Sequence, residues 1–233
     1  MSEITTSSEL TVKLLRHMAA DEYAIEAAQA SVTGIKDARD IDPGRFLDKL
    51  VKLRHGVPFE HCTFTFGVKV PIFVARQWVK HRMSSMNEMS GRYGKLLPEF
   101  YVATEDRPMV NGGTKMEPKM EAGSYMQFQT MANANREVAQ KAWDHYEFQL
   151  KMGIAEELAR AVLPVSIYTQ FYWTLNARSL MGFLERRVDS EAARVATHPQ
   201  WEIWQAADIL EDTFKQVMPH THSAFVKYGR VAP

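Results

Sequence analysis

The chain has 233 residues, of which 45% are hydrophobic and 24% charged, enough for one generous domain and unlike a disordered protein. Lys+Arg and Asp+Glu both number 28, so bulk charge gives no reason to expect nucleic acid or a membrane surface as partner. The single cysteine, Cys62, excludes an internal disulfide framework and a cysteine-rich zinc site, no stretch approaches the ~18 consecutive apolar residues of a membrane span, and the start lacks the basic-then-apolar pattern of a secretory signal. The expected setting is the cytoplasm.

In chain order, residues 11–18 predict a short strand and residues 21–30 a helix. Pro43-Gly44 opens a second helix, in which Phe46, Leu47, Leu50, Val51 and Leu53 recur at helical spacing up to Gly56. Residues 61–70 carry the clearest strand pattern: Cys62, Phe64, Phe66, Val68 and Val70 alternate with Thr63, Thr65, Gly67 and Lys69. Pro71 suits a first helical position, predicting a helix that ends near Arg82, followed by a loop over 83–97. Residues 105–118 read as a surface loop, 118–152 as a long helix and 154–163 as a shorter one. Residues 165–175 are rich in β-branched and aromatic side chains and predict a strand. Asn176 suits the cap of a helix ending near Val188, and the tail beyond Pro199 reads as helical. The expectation is one mixed α/β (α+β) domain over residues 1–233, with helices in excess.

Chemistry concentrates in Arg76–Lys95, where five cations (Arg76, Lys80, Arg82, Arg92, Lys95) face one acid, Glu88, in an otherwise neutral chain. Such a cluster suits a phosphate-bearing ligand, and a solvated helix end is the plainer alternative. Gly91-x-x-Gly94-Lys95-Leu96 is too short for a phosphate loop and lacks its Ser/Thr. No GxGxxG, HExxH or CxxC occurs, and no metal site is expected. Cys62, on the apolar face of its strand, reads as a buried and inert thiol.

Residue order decides between the readings. Lys80-His81-Arg82, seven residues and then Ser90 resemble the Arg-His-Arg…Ser signature of flavin-dependent thymidylate synthases. Gln77-Trp78, Asn87-Glu88 and Ser90-Gly91-Arg92-Tyr93 agree with it, as do Pro58-Phe59-Glu60-His61 upstream and Asn176-Ala177-Arg178-Ser179-Leu180 downstream. The likeness covers roughly residues 28–205.

This resemblance implies a central antiparallel-rich sheet flanked by helices, and a methyltransferase that converts dUMP to dTMP. Methylenetetrahydrofolate would give the one-carbon unit, FAD would carry the hydride and NADPH would reduce it, without a cysteine nucleophile. It also implies a homotetramer whose sites draw on several subunits. The matching dUMP positions are Gln77, Glu88, Ser90, Gly91, Arg92, Arg160 and Arg187; those for FAD are Ser31, His55, Glu60, Lys80, His81, Arg82, Asn87, Asn176 and Arg178. Arg187, Ser90 and His55 are the implied catalytic group, with Arg187 next to an equivalent-looking Arg186 and Ser90 a substrate-binding hydroxyl rather than a nucleophile. Arg160 has an i,i+4 pair with Glu156 as its plainer role. Departures from the pattern are Lys80 for the first arginine, Gly182 for an asparagine, Val57 for a threonine, and an apparent insertion at 191–199. They keep open a nucleotide-binding module without turnover and, more distantly, a purely structural protein.

Overall fold

Alternation over residues 63–71 does produce a strand. In this computed structural model, which describes residues 2–34, 41–115 and 118–233, Thr63–Pro71 forms β3 of a four-stranded antiparallel sheet ordered β2-β3-β8-β4. The other members are β2 (Thr11–Met18), β4 (Ser85–Glu88) and β8 (Tyr168–Asn176). Phe64, Phe66, Val68 and Val70 are buried, as the period predicts; Thr65, on the opposite face, is buried too, with its hydroxyl 3.0 Å from that of Thr174. The architecture is mixed α/β, and no described helix is long and apolar enough to cross a membrane.

The chain divides into two compact units. One comprises Met1–Thr11, Lys69–Trp78 and Glu88–Phe171; the other comprises Val12–Val68, Val79–Asn87 and Tyr172–Pro233.

In the first unit, β1 (Thr5–Ser7) pairs in parallel with β5 (Glu99–Tyr101). Three-residue strands are too short to show a period, so neither was visible in the sequence. The long helix α5 (Tyr125–Lys151) starts at a capping box, with Ser124 and Gln127 exchanging side-chain and backbone hydrogen bonds. Its Ala139, Trp143 and Tyr146 close a core with Phe100, Ala159 and Ile167. Helix α6 (Glu156–Ala159) and a 3-10 turn (Arg160–Val162) replace the single helix expected over 154–163. The expected surface loop at 105–118 contains β6 (Val110–Asn111), antiparallel to β7 (Met120–Glu121); its residues 116–117 lie outside the described residues. Pro71 ends β3 instead of opening the helix α4 (Ile72–Trp78), because the amides of Ile72 and Phe73 are bound by the carbonyls of Ile167 and Val165.

In the second unit, α1 (Asp21–Thr33), α2 (Pro43–Lys52), α3 (Val57–Glu60), α7 (Ala177–Arg187), α8 (Trp201–Val217) and α9 (Pro219–Lys227) surround an aromatic core. Phe64 packs edge-on against Phe214, and Trp173 lies between Phe66 and Phe183. Two carboxylates, Asp21 buried and Glu211 partly buried, fasten α9. Asp21 accepts from the Thr221 hydroxyl and from the backbone amides of His220 and Thr221, supplying the cap that Met218 cannot. Glu211 accepts two hydrogen bonds from Arg230 and is bonded to His222.

Candidate active site

The turn after α4 carries Lys80-His81-Arg82. Its backbone is fixed from the core outwards: the buried Trp173 indole donates to Ser84 Oγ at 2.9 Å, and Ser84 Oγ donates to the His81 carbonyl at 2.8 Å. Lys80 and Arg82 consequently project as exposed cations on either side of a half-buried imidazole. His81 Nε2 accepts from Arg187 Nε at 3.1 Å, and its ring centre lies 4.6 Å from that of Phe183. Burial, with the charges of Arg187 and Arg186, lowers the His81 pKa to about 4. The imidazole is therefore neutral at pH 7, with Nε2 free of a proton so that it can accept from the guanidinium. Arg187 is half-buried and turned onto His81, whereas Arg186 is exposed.

Other expected flavin positions fall in the same unit. Asn176 caps α7 by accepting from Ser179 N at 2.8 Å, as its position predicted. Arg178 donates to Glu60 at 2.5 Å, so two residues 118 apart in sequence meet. Arg178 Nε also donates to the Pro233 carbonyl at 2.6 Å. Gly56 makes this approach possible, since a Cβ there would stand 2.6 Å from Arg178 Nε. Ser31 and His55 line one cleft of about 370 Å³, whose walls include Phe46, Leu50 and Lys49. Asn87 is exposed in β4, the strand that lies within the expected loop. A Cβ at Gly182 would meet Ala232 at 3.9 Å, an ordinary contact, so packing does not forbid a side chain there.

The expected nucleotide positions, Arg187 excepted, fall in the first unit. Ser90 Oγ accepts from Arg92 N at 3.2 Å, ordering the bend that follows. Arg92 donates to Glu157 at 3.0 Å, with both side chains about half exposed (50% and 49%). Glu88 accepts from the Thr169 hydroxyl at 2.5 Å. Gly91 is buried against Leu96, where a Cβ would sit 3.2 Å from the leucine's carbons. Gln77 is half-buried in α4, and Arg160 is exposed in the 3-10 turn. Of the residues that sequence reasoning missed, Trp173, Thr169 and Glu157 act through contacts 65 to 89 positions away, for which no local pattern exists, while Ser84 bonds within its own turn and owes its setting to the distant Trp173.

Cys62 is fully buried, its thiol directed at the Ala20 carbonyl and its pKa raised by burial. No group of three or more His, Cys, Asp or Glu able to hold a metal occurs among the described residues.

A family model described as "Thymidylate synthase complementing protein" matches residues 13–220. A flavin-dependent thymidylate synthase of Tropheryma whipplei (strain TW08/27) is 42% identical, over 97% of this chain and 96% of its own. The chain belongs to the flavin-dependent thymidylate synthase family. Another of these synthases, from Thermotoga neapolitana, is 41% identical over 94% of this chain and 91% of its own. Among solved structures, the UMP/dUMP methylase PolB from Streptomyces cacaoi bound with 5-Br UMP superposes with a TM-score of 0.94, at 37% identity, covering 99% of this chain and 100% of that one. Its form bound with 5-Br dUMP gives 0.91. The chain is thus a member of a family of methyltransferases, in agreement with the resemblance carried by Lys80-His81-Arg82 and Ser90 in the sequence.

Proposed function

We propose that the protein transfers a one-carbon unit from methylenetetrahydrofolate to C5 of dUMP and reduces it to the methyl of dTMP, with NADPH as the reductant. The observation that carries this reading is the Lys80-His81-Arg82 turn: a neutral imidazole on Arg187, flanked by exposed cations, in the family's signature. The donor set fits a flavin. Lys80 and Arg82 suit its diphosphate, and the Ser31–His55 cleft offers apolar walls with polar groups for a planar ring. When bound, FAD supplies the hydride chemistry that no side chain offers.

The chain's own residues bind and orient. Arg92 and Arg160 hold the 5′-phosphate, for which a guanidinium presents paired donors. Ser90, Gly91, Gln77 and Glu88 hold the nucleoside, with Ser90 contributing a hydrogen bond and not a nucleophile. Arg187, kept ionised though burial lowers its pKa, stabilises negative charge developing on the pyrimidine. His55 lies over the cleft and positions the folate and ring system, while Glu60, Asn87, Asn176 and Arg178 complete the flavin site. The inert Cys62 supports a route without thiolate addition.

A homotetramer with shared sites, working in the cytoplasm, completes the proposal. It is supported by exposed apolar side chains around the end of α5 and α6, among them Phe148, Met152 and Leu158; light scattering of the eluted protein tests it.

The deciding experiment is a visible spectrum of the protein with FAD, then anaerobic NADPH, then methylenetetrahydrofolate with dUMP or UMP. Bleaching followed by dTMP formation establishes the reaction. Bound flavin without product supports the binding module, and absence of flavin binding overturns both.

A further inference from the structure

One buried carboxylate in the first unit gathers donors from two distant parts of the chain. Glu147, near the end of α5, is only 8% exposed. Its Oε1 accepts from Lys95 Nζ at 2.7 Å and from Ser2 Oγ at 2.8 Å, and its Oε2 accepts from Ser2 N at 3.0 Å. Ser2 Oγ also accepts from Trp143 Nε1 at 2.9 Å, and Lys95 Nζ lies 5.5 Å from the centre of the same indole. One position beyond Lys95, Leu96 N donates to the Tyr146 hydroxyl at 3.3 Å. Trp143, Tyr146 and Glu147 stand at i, i+3 and i+4, so a single face of α5 grips Lys95 and Leu96.

That grip bears on the preceding residues. Gly91 packs on Leu96, where a Cβ would sit 3.2 Å from the leucine's carbons, so displacing Leu96 disturbs the seat of Gly91 and its neighbours Ser90 and Arg92. The anchors of Ser90 and Arg92 are weaker: a hydrogen bond within the loop and the half-exposed pair with Glu157. The Lys95–Glu147 contact is harder to give up, because it would leave a buried carboxylate without its cation. The same donors, Lys95 first and Ser2 after it, hold the Glu147 carboxyl at a pKa of about 2, so the clamp stays ionised at neutral pH.

We infer that Glu147 is a positioning residue of the nucleotide site, holding Lys95 beside the Leu96 that Tyr146 binds, so that the loop presents Ser90, Gly91 and Arg92 to a 5′-phosphorylated pyrimidine. Ser2 is bound into the same clamp. The inference rests on the reading of this loop as the dUMP site.

Wild type, Glu147→Gln, Lys95→Met and the double variant are compared by calorimetric titration with dUMP, steady-state kinetics, and amide hydrogen exchange over residues 89–97. Glu147→Gln conserves volume but sets an amide against three donors. It should weaken dUMP binding and raise its KM about five- to tenfold, with kcat within about twofold, and hasten exchange at the Arg92 and Leu96 amides. The double variant should be no worse than the poorer single one. Unchanged exchange, faster exchange with unchanged dUMP affinity, or additive effects would overturn the inference. Wild type that takes up no dUMP would overturn the reading beneath it, a result distinct from any failure confined to the variants.

Discussion

The two units treat their expected ligand residues in opposite ways. In the second, part of the set matched to flavin is tied to the scaffold: His81 to Arg187 and Asn176 to its own helix, while Arg178 meets Glu60 in a pair that is itself 46% and 40% exposed. In the first, the nucleotide positions Glu88, Ser90, Arg92 and Arg160 lie at the surface, and the principal one, Arg92, is held by a half-exposed carboxylate. An exposed ion pair contributes little and exchanges readily for a ligand, whereas a partly desolvated contact such as that of Arg187 with His81 is part of the architecture. Substrate that enters and leaves at every turnover suits the first arrangement, and a retained cofactor suits the second.

The comparison can be broken most decisively at Arg187, which belongs to the scaffolded set yet is assigned to the substrate. Arg187→Ala should lower kcat/KM for dUMP about 100-fold or more, the usual cost of removing a group that stabilises developing charge, while Arg186→Ala stays near wild type. Equal losses would place both arginines at the pyrimidine. Next comes Glu211→Gln, which leaves the Arg230 guanidinium, 4% exposed, without its carboxylate. Urea denaturation should show a loss of about 3 kcal/mol. Asn176→Ala removes the α7 cap and should cost about 1 kcal/mol in the same assay.

His81 sharpens the comparison through pH. Its folded pKa, about 4, lies below the 6.5 of a free imidazole, so between these values the unfolded chain binds the extra proton. Stability is full above pH 6.5 and falls as pH drops towards 4. His81→Asn should flatten that part of the profile. The smallest effect belongs to the exposed pair: Glu157→Gln should change stability by less than about 0.5 kcal/mol, read as a shift in urea midpoint. A loss as large as that of Glu211→Gln would erase the distinction between the units.

Much of this was legible in the sequence where the signal is local. The apolar face of β3 alternates as written, β2 occupies the residues expected, and Asn176 caps α7 because an N-cap needs only its own side chain and the next turn. Locality also sets the errors. Pro71 looked like a helix start, but distant carbonyls took the amides that follow it. Residues 85–88 looked like loop, since a polar stretch on a sheet edge has no period to read. The two-residue strands β6, inside the expected loop, and β7, inside the start of the expected long helix, carry no pattern at all.

The same boundary runs through the candidate site. Sequence by itself determined the family and the burial of Cys62, because residue type, order and hydrophobic period are properties of a short stretch. Only the tertiary structure decided that Arg187 and not Arg186 turns onto His81, that Glu60 and Arg178 form a pair, that Arg92 is held by Glu157, and that Glu147 gathers Lys95 and Ser2. These contacts join positions from 52 to 145 residues apart, and each depends on desolvation and geometry that exist only once the chain has closed around them.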